Sequence, residues 1–383
     1  MINTKILIGG DFFPKNAHEL FKNGNIEKLY SKDIIELFNK SDFAICNLEG
    51  ALTYADTKIP KCGPNLKAPP ETIEGIKQLG LDYVSLANNH VTDFGIQGYV
   101  DTCETLSKYN IGYFGAGINT NEIETHLKIK IKDKTVVFYG VSETVFNIPK
   151  VNFPGVNLYD EYRVCNELKE LKKQCDFLIV LYHGGAEYFQ YPTPWIRTRF
   201  HRMADSGADI VIAQHTHCIG TLEYYNNSYL LFGQGNFYFK QYYYEMNLTQ
   251  TGLLLEIELL EDGFKVNHHL IFRDGDMIKY DAKQDLTEFY KRNQRLANGD
   301  SFEKEFSAYS EVWFIRWLME FRGLKLSDRI MRRFLSKKKF IDYLRNSYKN
   351  VTVLRMLEHV RGEEDVEVMQ QGLADFFERN QQK

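Results

Sequence analysis

The 383-residue chain has no uninterrupted apolar run of about 18 residues, the length a membrane-spanning helix needs. It also lacks an N-terminal segment of signal-peptide type, because Lys5 and Asp11 bracket only Ile6, Leu7, Ile8 and two glycines. There is no C-x-x-C pair: the six cysteines are scattered, so reduced thiols in a cytoplasmic chain, peripheral to a membrane at most, are the expectation. A basic excess is missing too, and the formal net charge of −4 excludes a dedicated nucleic-acid binder. No Gly-x-Ser-x-Gly elbow is present, which disfavours a Ser-His-Asp hydrolase. Neither a phosphate-binding G-x-x-x-x-G-K-[ST] loop nor a fitting G-x-G-x-x-G follows the first apolar run.

What is there is 44% apolar, enough for a substantial core. Up to about residue 275, β-rich apolar runs alternate with segments of helical period, the signature of an α/β domain. Runs at 5–9, 43–48, 83–87, 177–182 and 209–213 are nearly continuous in aliphatic and aromatic residues, as suits strands covered on both faces. Helices are expected near 31–40, 71–79, 95–108, 159–173 and 194–206. Hairpins are expected around Asp133-Lys134, Asn226-Asn227-Ser228 and Asp262-Gly263. From about 283 to 383 the β signals stop and a helical extension is expected. It carries an aromatic stripe (Phe302, Phe306, Tyr309, Trp313, Trp317, Phe321) and a basic cluster (Arg329, Arg332, Arg333, Lys337, Lys338, Lys339). The stripe reads as core and the cluster as a solvated face, with docking of a polyanion as the alternative.

The informative pattern lies where the expected strands end. After the first comes Asp11, after the second Asn47 and Glu49, and after the third Asn88, Asn89 and His90 with Asp93 following. Later come His183 with Glu187, then Gln214, His215 and His217. Ligands gather at the carboxyl edges of strands in open α/β sheets, and a mixture of imidazole and carboxylate suits Zn, Mn or Fe rather than an all-oxygen calcium shell. Each piece alone has an ordinary structural explanation as a turn, a cap or a packed histidine. Their joint occurrence points to a metal site, with His215 and His217 expected to point the same way from an extended segment.

Asp11, Asn47-Leu48-Glu49-Gly50, Leu86-Ala87-Asn88-Asn89-His90-x-x-Asp93-x-Gly95, His183-Gly184, His215-x-His217 and Gly235-Asn236-Phe237 together resemble the CapA, or poly-γ-glutamate capsule synthesis, family of the calcineurin-like metallophosphatase superfamily. The resemblance covers residues 1 to about 275. It implies a four-layer metallophosphatase-like β-sandwich flanked by helices, followed here by the helical extension. It implies one or two divalent metal ions held by Asp11, Glu49, Asn89, His183, His215 and His217, with Asn47 and Glu49 both open as the bridging group. His90 and Asp93 become the catalytic candidates, and Asn47, Asn88, Glu187, Gln214 and Asn236 the candidates for substrate contact. The implied chemistry is hydrolysis of a phosphoester or of an amide such as a γ-glutamyl bond, in a phosphorylated, peptide or polyanionic polymer. Capsule-synthesis machinery would be the partner; a non-catalytic binding role and a metal-dependent peptide epimerase are the alternatives. One departure stands out: Phe13 occupies the position where the superfamily usually carries a histidine, which would leave one metal a poorer shell.

Overall fold

The computed structural model describes residues 4–310, apart from 24, 62, 120–122, 144–152, 240–246, 282, 300, 301 and 303, and beyond them residues 326–336, 339, 340 and 343. Two compact units divide the chain, the first from Met1 to Phe302 and the second from Glu303 to Lys383. The first unit includes the helix Thr287–Ala297, which the sequence alone groups with the extension. Phe289 and Leu296 on that helix are buried in the cores of the first unit, and burial of its apolar face explains where it belongs.

Two sheets face each other. The eight-stranded sheet is built around Thr4–Phe13, which runs parallel to Phe43–Leu48 on one side and antiparallel to Thr251–Leu259 on the other. The six-stranded sheet is built around Phe177–His183, parallel to both Lys134–Ser142 and Ile210–Gln214. Alternation along each strand sends Ile6, Ile8 and Ile45 from one sheet, and Phe138, Ile179 and Ile212 from the other, into the shared core between them. The opposite faces are covered by helices. Phe21, Ile34, Ile76 and Leu106 pack on the larger sheet, and Val164, Leu168, Phe200 and Met203 on the smaller. The result is helix, sheet, sheet, helix, the four-layer α/β architecture expected. Both faces of the parallel strands are covered, which accounts for their continuous apolar runs.

The helices at Lys32–Asn39, Gly95–Lys108, Glu161–Lys172 and Pro194–Asp205 stand where the periodicity puts them. Two start on explicit caps: the side chain of Asp160 accepts from Arg163 N, and that of Thr193 accepts from Ile196 N. Among the described residues no helix is long and apolar enough to cross a membrane. The five described cysteines are free thiols. Of the aromatic stripe, Phe302 is buried against Tyr191; Trp313, Trp317 and Phe321 lie outside the described residues, as do Lys337 and Lys338. Arg332 and Arg333 are exposed on the helix Leu326–Phe334.

Candidate metal centre

The first strand does not stop at residue 9 but continues to Phe13, and its register shifts between Ile8 and Asp11 against Phe43–Leu48 and between Asp11 and Phe12 against Asn236–Phe239. That irregularity turns Asp11 out of the regular alternation at the strand's carboxyl end. Gly10 makes it feasible, because a Cβ there would lie far inside van der Waals contact with the Gly235 carbonyl oxygen. Asn47 pairs with Asp11 across the parallel strands, and Glu49 follows at the next strand end. Asn88, Asn89 and His90 come just after Tyr83–Ser85, a shorter strand than expected.

His215 and His217 do not lie on an extended segment. The strand Ile210–Gln214 ends before them, and both have left-handed backbones, with φ of 84° and 52°. A non-glycine residue rarely adopts that region, and two within three residues mark a locally strained turn imposed by its surroundings. The turn still brings the two rings to 6.1 Å of each other and the His215 ring to 4.9 Å from that of His183.

Two sets of donor atoms converge. Glu49, His183 and His215 offer ligand atoms all within 4.8 Å of one another, and so do Asp11, Glu49 and His217. Glu49 belongs to both. Its carboxylate is wholly buried, and neither oxygen has a hydrogen-bond partner among the described residues. Burial, reinforced by the charges of Asp11 and Glu187, pushes its pKa well above the usual carboxylate range. Burial likewise holds the His183 imidazole well below its ordinary value. A buried carboxylate without a donor is costly, and a cation between the two triads is what would satisfy it.

Around the cluster the polar groups form an ordered shell. Asn47 Nδ2 donates to Asp11 Oδ1 at 2.8 Å and lies 3.2 Å from His183 Nδ1. Asn88 Nδ2 donates to Asn47 Oδ1 and Leu48 O, while its Oδ1 accepts from the backbone of His90 and Val91. Asn89 Oδ1 stands 2.9 Å from His183 Nε2, and Asp11 Oδ2 accepts from His215 N at 2.8 Å. His217 Nδ1 is 2.9 Å from Asn236 Oδ1. His90 Nε2 is 3.8 Å from Glu49 Oε1, and its Nδ1 is 2.7 Å from Asp93 Oδ2; burial lowers its pKa to about 4. Glu187 reaches the cluster's edge, 4.0 Å from His215 Nε2.

Gln214 is placed differently. Its amide nitrogen faces Gly9 O and Gln234 Oε1 inside the sandwich, tying the first strand to the last part of the domain. Phe13 is buried against Leu66 and Phe239, packed as an apolar side chain.

Two residues escaped the sequence pattern. Glu143 Oε1 lies 3.7 Å from His215 Nε2, and Glu143 Oε2 accepts from Gly185 N at 3.1 Å. It follows directly on the strand Lys134–Ser142, so the strand-end rule that singled out the others applies to it as well. Lys61 pairs with Asp93 and lies 3.0 Å from His90 Nδ1, its side chain 1% exposed. It comes from a loop rich in proline and glycine, with no motif to announce it.

The family described as bacterial capsule synthesis protein PGA_cap matches residues 5–241. The chain is 29% identical over 236 residues to the PGA biosynthesis protein CapA of Bacillus subtilis (strain 168), covering 59% of this chain and 60% of that protein. It is 25% identical over 269 residues to the capsule biosynthesis protein CapA of Bacillus anthracis, covering 68% of this chain and 64% of that protein. The matched region thus spans less than two thirds of the length of either relative. Among solved structures, a novel phosphatase from Mycoplasma pneumoniae aligns over 76% of this chain and 99% of its own, with a TM-score of 0.44 and 17% identity.

Proposed function

Because the chain belongs to the bacterial capsule synthesis protein family, we propose that it is a metal-dependent hydrolase acting on a phosphoester or γ-glutamyl amide bond in the making of an extracellular polymer. The observation that carries this reading is the Glu49 carboxylate, fully buried, without a hydrogen bond among the described residues and shared by two donor triads. Glu49, His183 and His215, with Asn89 beside them, would hold one divalent cation; Asp11, Glu49 and His217 would hold a second. Such a cation supplies Lewis acidity, polarising a phosphoryl or carbonyl oxygen and lowering the pKa of water from about 15.7 to roughly 7.

The chain's own groups do the rest. Asp93 orients His90, whose Nε2 faces the cluster and moves a proton between water and the departing group. Asn47 and Asn88, bonded to one another and to Asp11, hold the ligands in place rather than touch substrate. Glu187, at the edge of the cluster, is a candidate for substrate contact. The test is elemental analysis of purified protein together with turnover of phosphodiester and γ-glutamyl model substrates. Metal-free protein, and activity unaltered by His183→Ala and His215→Ala, would remove the basis for the proposal.

Phe13 favours a second reading. The apolar wall it forms with Leu66 and Phe239 leaves the Asp11 triad with one imidazole fewer, as in a polymer-binding component that holds a single cation weakly and does not turn substrate over. Binding of poly-γ-glutamate without hydrolysis, at one metal per chain, would select it; two metals with turnover would reject it.

A further inference from the structure

Three residues with left-handed backbones gather at the metal centre. Among the described residues eight non-glycine residues have positive φ, and Asn110, Lys132, Asn226 and Asn227 lie in turns between elements, where that conformation is ordinary. His215 and His217 are two of the others, and Tyr188, with φ of 62°, is a third. A bulky ring in this region is a genuine outlier that persists only where its surroundings hold it. Glycine or asparagine would take up the same backbone at less cost.

The hold is visible on both sides of the residue. Tyr188 N donates at 2.8 Å to the carbonyl oxygen of Thr216, the residue between the two histidines. Before it, Gly185 N donates to Glu143 Oε2 at 3.1 Å; after it, Phe189 is buried and Gln190 Nε2 donates to Ile219 O at 3.1 Å. The segment that leaves the strand Phe177–His183 is thereby fastened to the turn that follows Ile210–Gln214. So held, the Tyr188 ring stacks on that of His217, with centroids 6.2 Å apart and planes at 30°. Phe239 meets the same imidazole at 4.5 Å but is buried, whereas Tyr188 is half-exposed. Of these two rings, that of Tyr188 is the one a substrate can reach.

We infer that Tyr188 is a specificity-determining residue that touches the substrate: its ring walls the site beside His217 and packs on the carbon chain next to the scissile bond, such as the two methylenes of a γ-linked glutamyl unit. This rests on the reading of the cluster as a hydrolytic centre and names the part of the substrate that lies against it. An aromatic face gains by covering apolar area and asks for no charge in return. Fastened on both sides, the ring is already in place, so the contact costs little further ordering. The left-handed backbone at 188 is explained in the same way. A residue suited to that conformation would relieve it and leave the wall open.

The test uses the full chain as wild type, Tyr188→Asn and Tyr188→Phe, with a synthetic oligomer of γ-linked glutamate as the probe. Three quantities are read: the melting temperature after chelation, metal affinity by chelator competition, and oligomer affinity by calorimetry of the metal-loaded protein. Tyr188→Asn is expected to melt no lower than wild type and to hold metal equally well, while binding the oligomer about 10-fold more weakly. Tyr188→Phe keeps the ring and should bind as wild type does. Metal affinity lost in step with oligomer affinity would make the ring a support for His217 and overturn the assignment. So would a clear drop in the melting temperature of Tyr188→Asn, weakened binding by Tyr188→Phe, or oligomer binding that is the same in all three proteins, none at all included. Turnover is scored separately: a wild type that hydrolyses γ-glutamyl substrates while Tyr188→Asn binds unchanged defeats this assignment alone, and absence of turnover defeats the hydrolase reading whatever Tyr188 does.

Discussion

Asn236 Oδ1 stands 2.9 Å from His217 Nδ1 while Asn236 Nδ2 donates to the Thr249 carbonyl oxygen at 2.8 Å. The second bond fixes which way the amide points, since only its nitrogen can donate to a carbonyl. The oxygen therefore faces the imidazole, and His217 Nδ1, which also lies 3.5 Å from Asp11 Oδ2, donates to it and leaves the lone pair on Nε2. An outer partner of this kind sets the tautomer and aim of a ligating histidine. Asn236→Ala is expected to weaken metal binding by about 10- to 100-fold, read by competition with a coloured chelator; unchanged affinity would mean that His217 needs no such partner.

Glu49 makes an opposite pair of predictions for the loaded and the stripped protein. Chelation should lower the melting temperature of the wild type, because a ligand at about 100 times its Kd stabilises the fold by roughly 2.7 kcal/mol. Glu49→Gln should lose that response while melting no lower than stripped wild type, as it removes a buried carboxylate that has no donor among the described residues. A stripped variant markedly less stable than stripped wild type would show that Glu49 has a structural partner after all.

Gly10 permits the close approach of two backbones beside Asp11. Gly10→Ala should cost more than about 3 kcal/mol or prevent folding, because the obstacle is the Gly235 backbone and not a side chain that can swing away. Gly263→Ala is the comparison: nothing lies within 4 Å of its Cβ, but its φ is 95°, so about 1 kcal/mol is expected. Equal melting curves for the two variants would contradict the role given to Gly10.

On the strand Phe264–Asp274, burial lowers the His268 imidazole from 6.5 to about 4. The unfolded chain binds a proton between those values and the folded chain does not, so stability is fullest above pH 6.5 and declines as pH falls towards 4. The loss is on the order of 2 kcal/mol for this group. His268→Gln keeps a polar group beside the Tyr229 hydroxyl, now 2.8 Å from His268 Nε2, and removes the titration. Urea unfolding of chelator-treated protein at pH 4.5, 5.5 and 7 should give a shallower decline for the variant, and parallel declines would count against it.

Much of this molecule was legible before any coordinates. The aliphatic runs at 43–48, 177–182 and 209–213 announce doubly covered strands because burial on both faces leaves no place for polar residues. Asp11, Glu49, Asn89, His90 and His183 could be picked out because each follows such a run. Glu143 follows one too, but a lone carboxylate after a strand carries no spacing of its own. Lys61 had no local signal at all.

What the amino-acid order determined is therefore local: which stretches become strands and helices, and which polar side chains stand at their ends. Only the tertiary structure decided that Asp11 and His215, 204 positions apart, share a hydrogen bond, that His215 and His217 converge through left-handed turns instead of a strand, and that Lys61 lies behind His90. Periodicity reports what a residue's immediate neighbours require. The charge, donor and tautomer of each site group are set by partners brought from distant parts of the chain when the two sheets close on their common core.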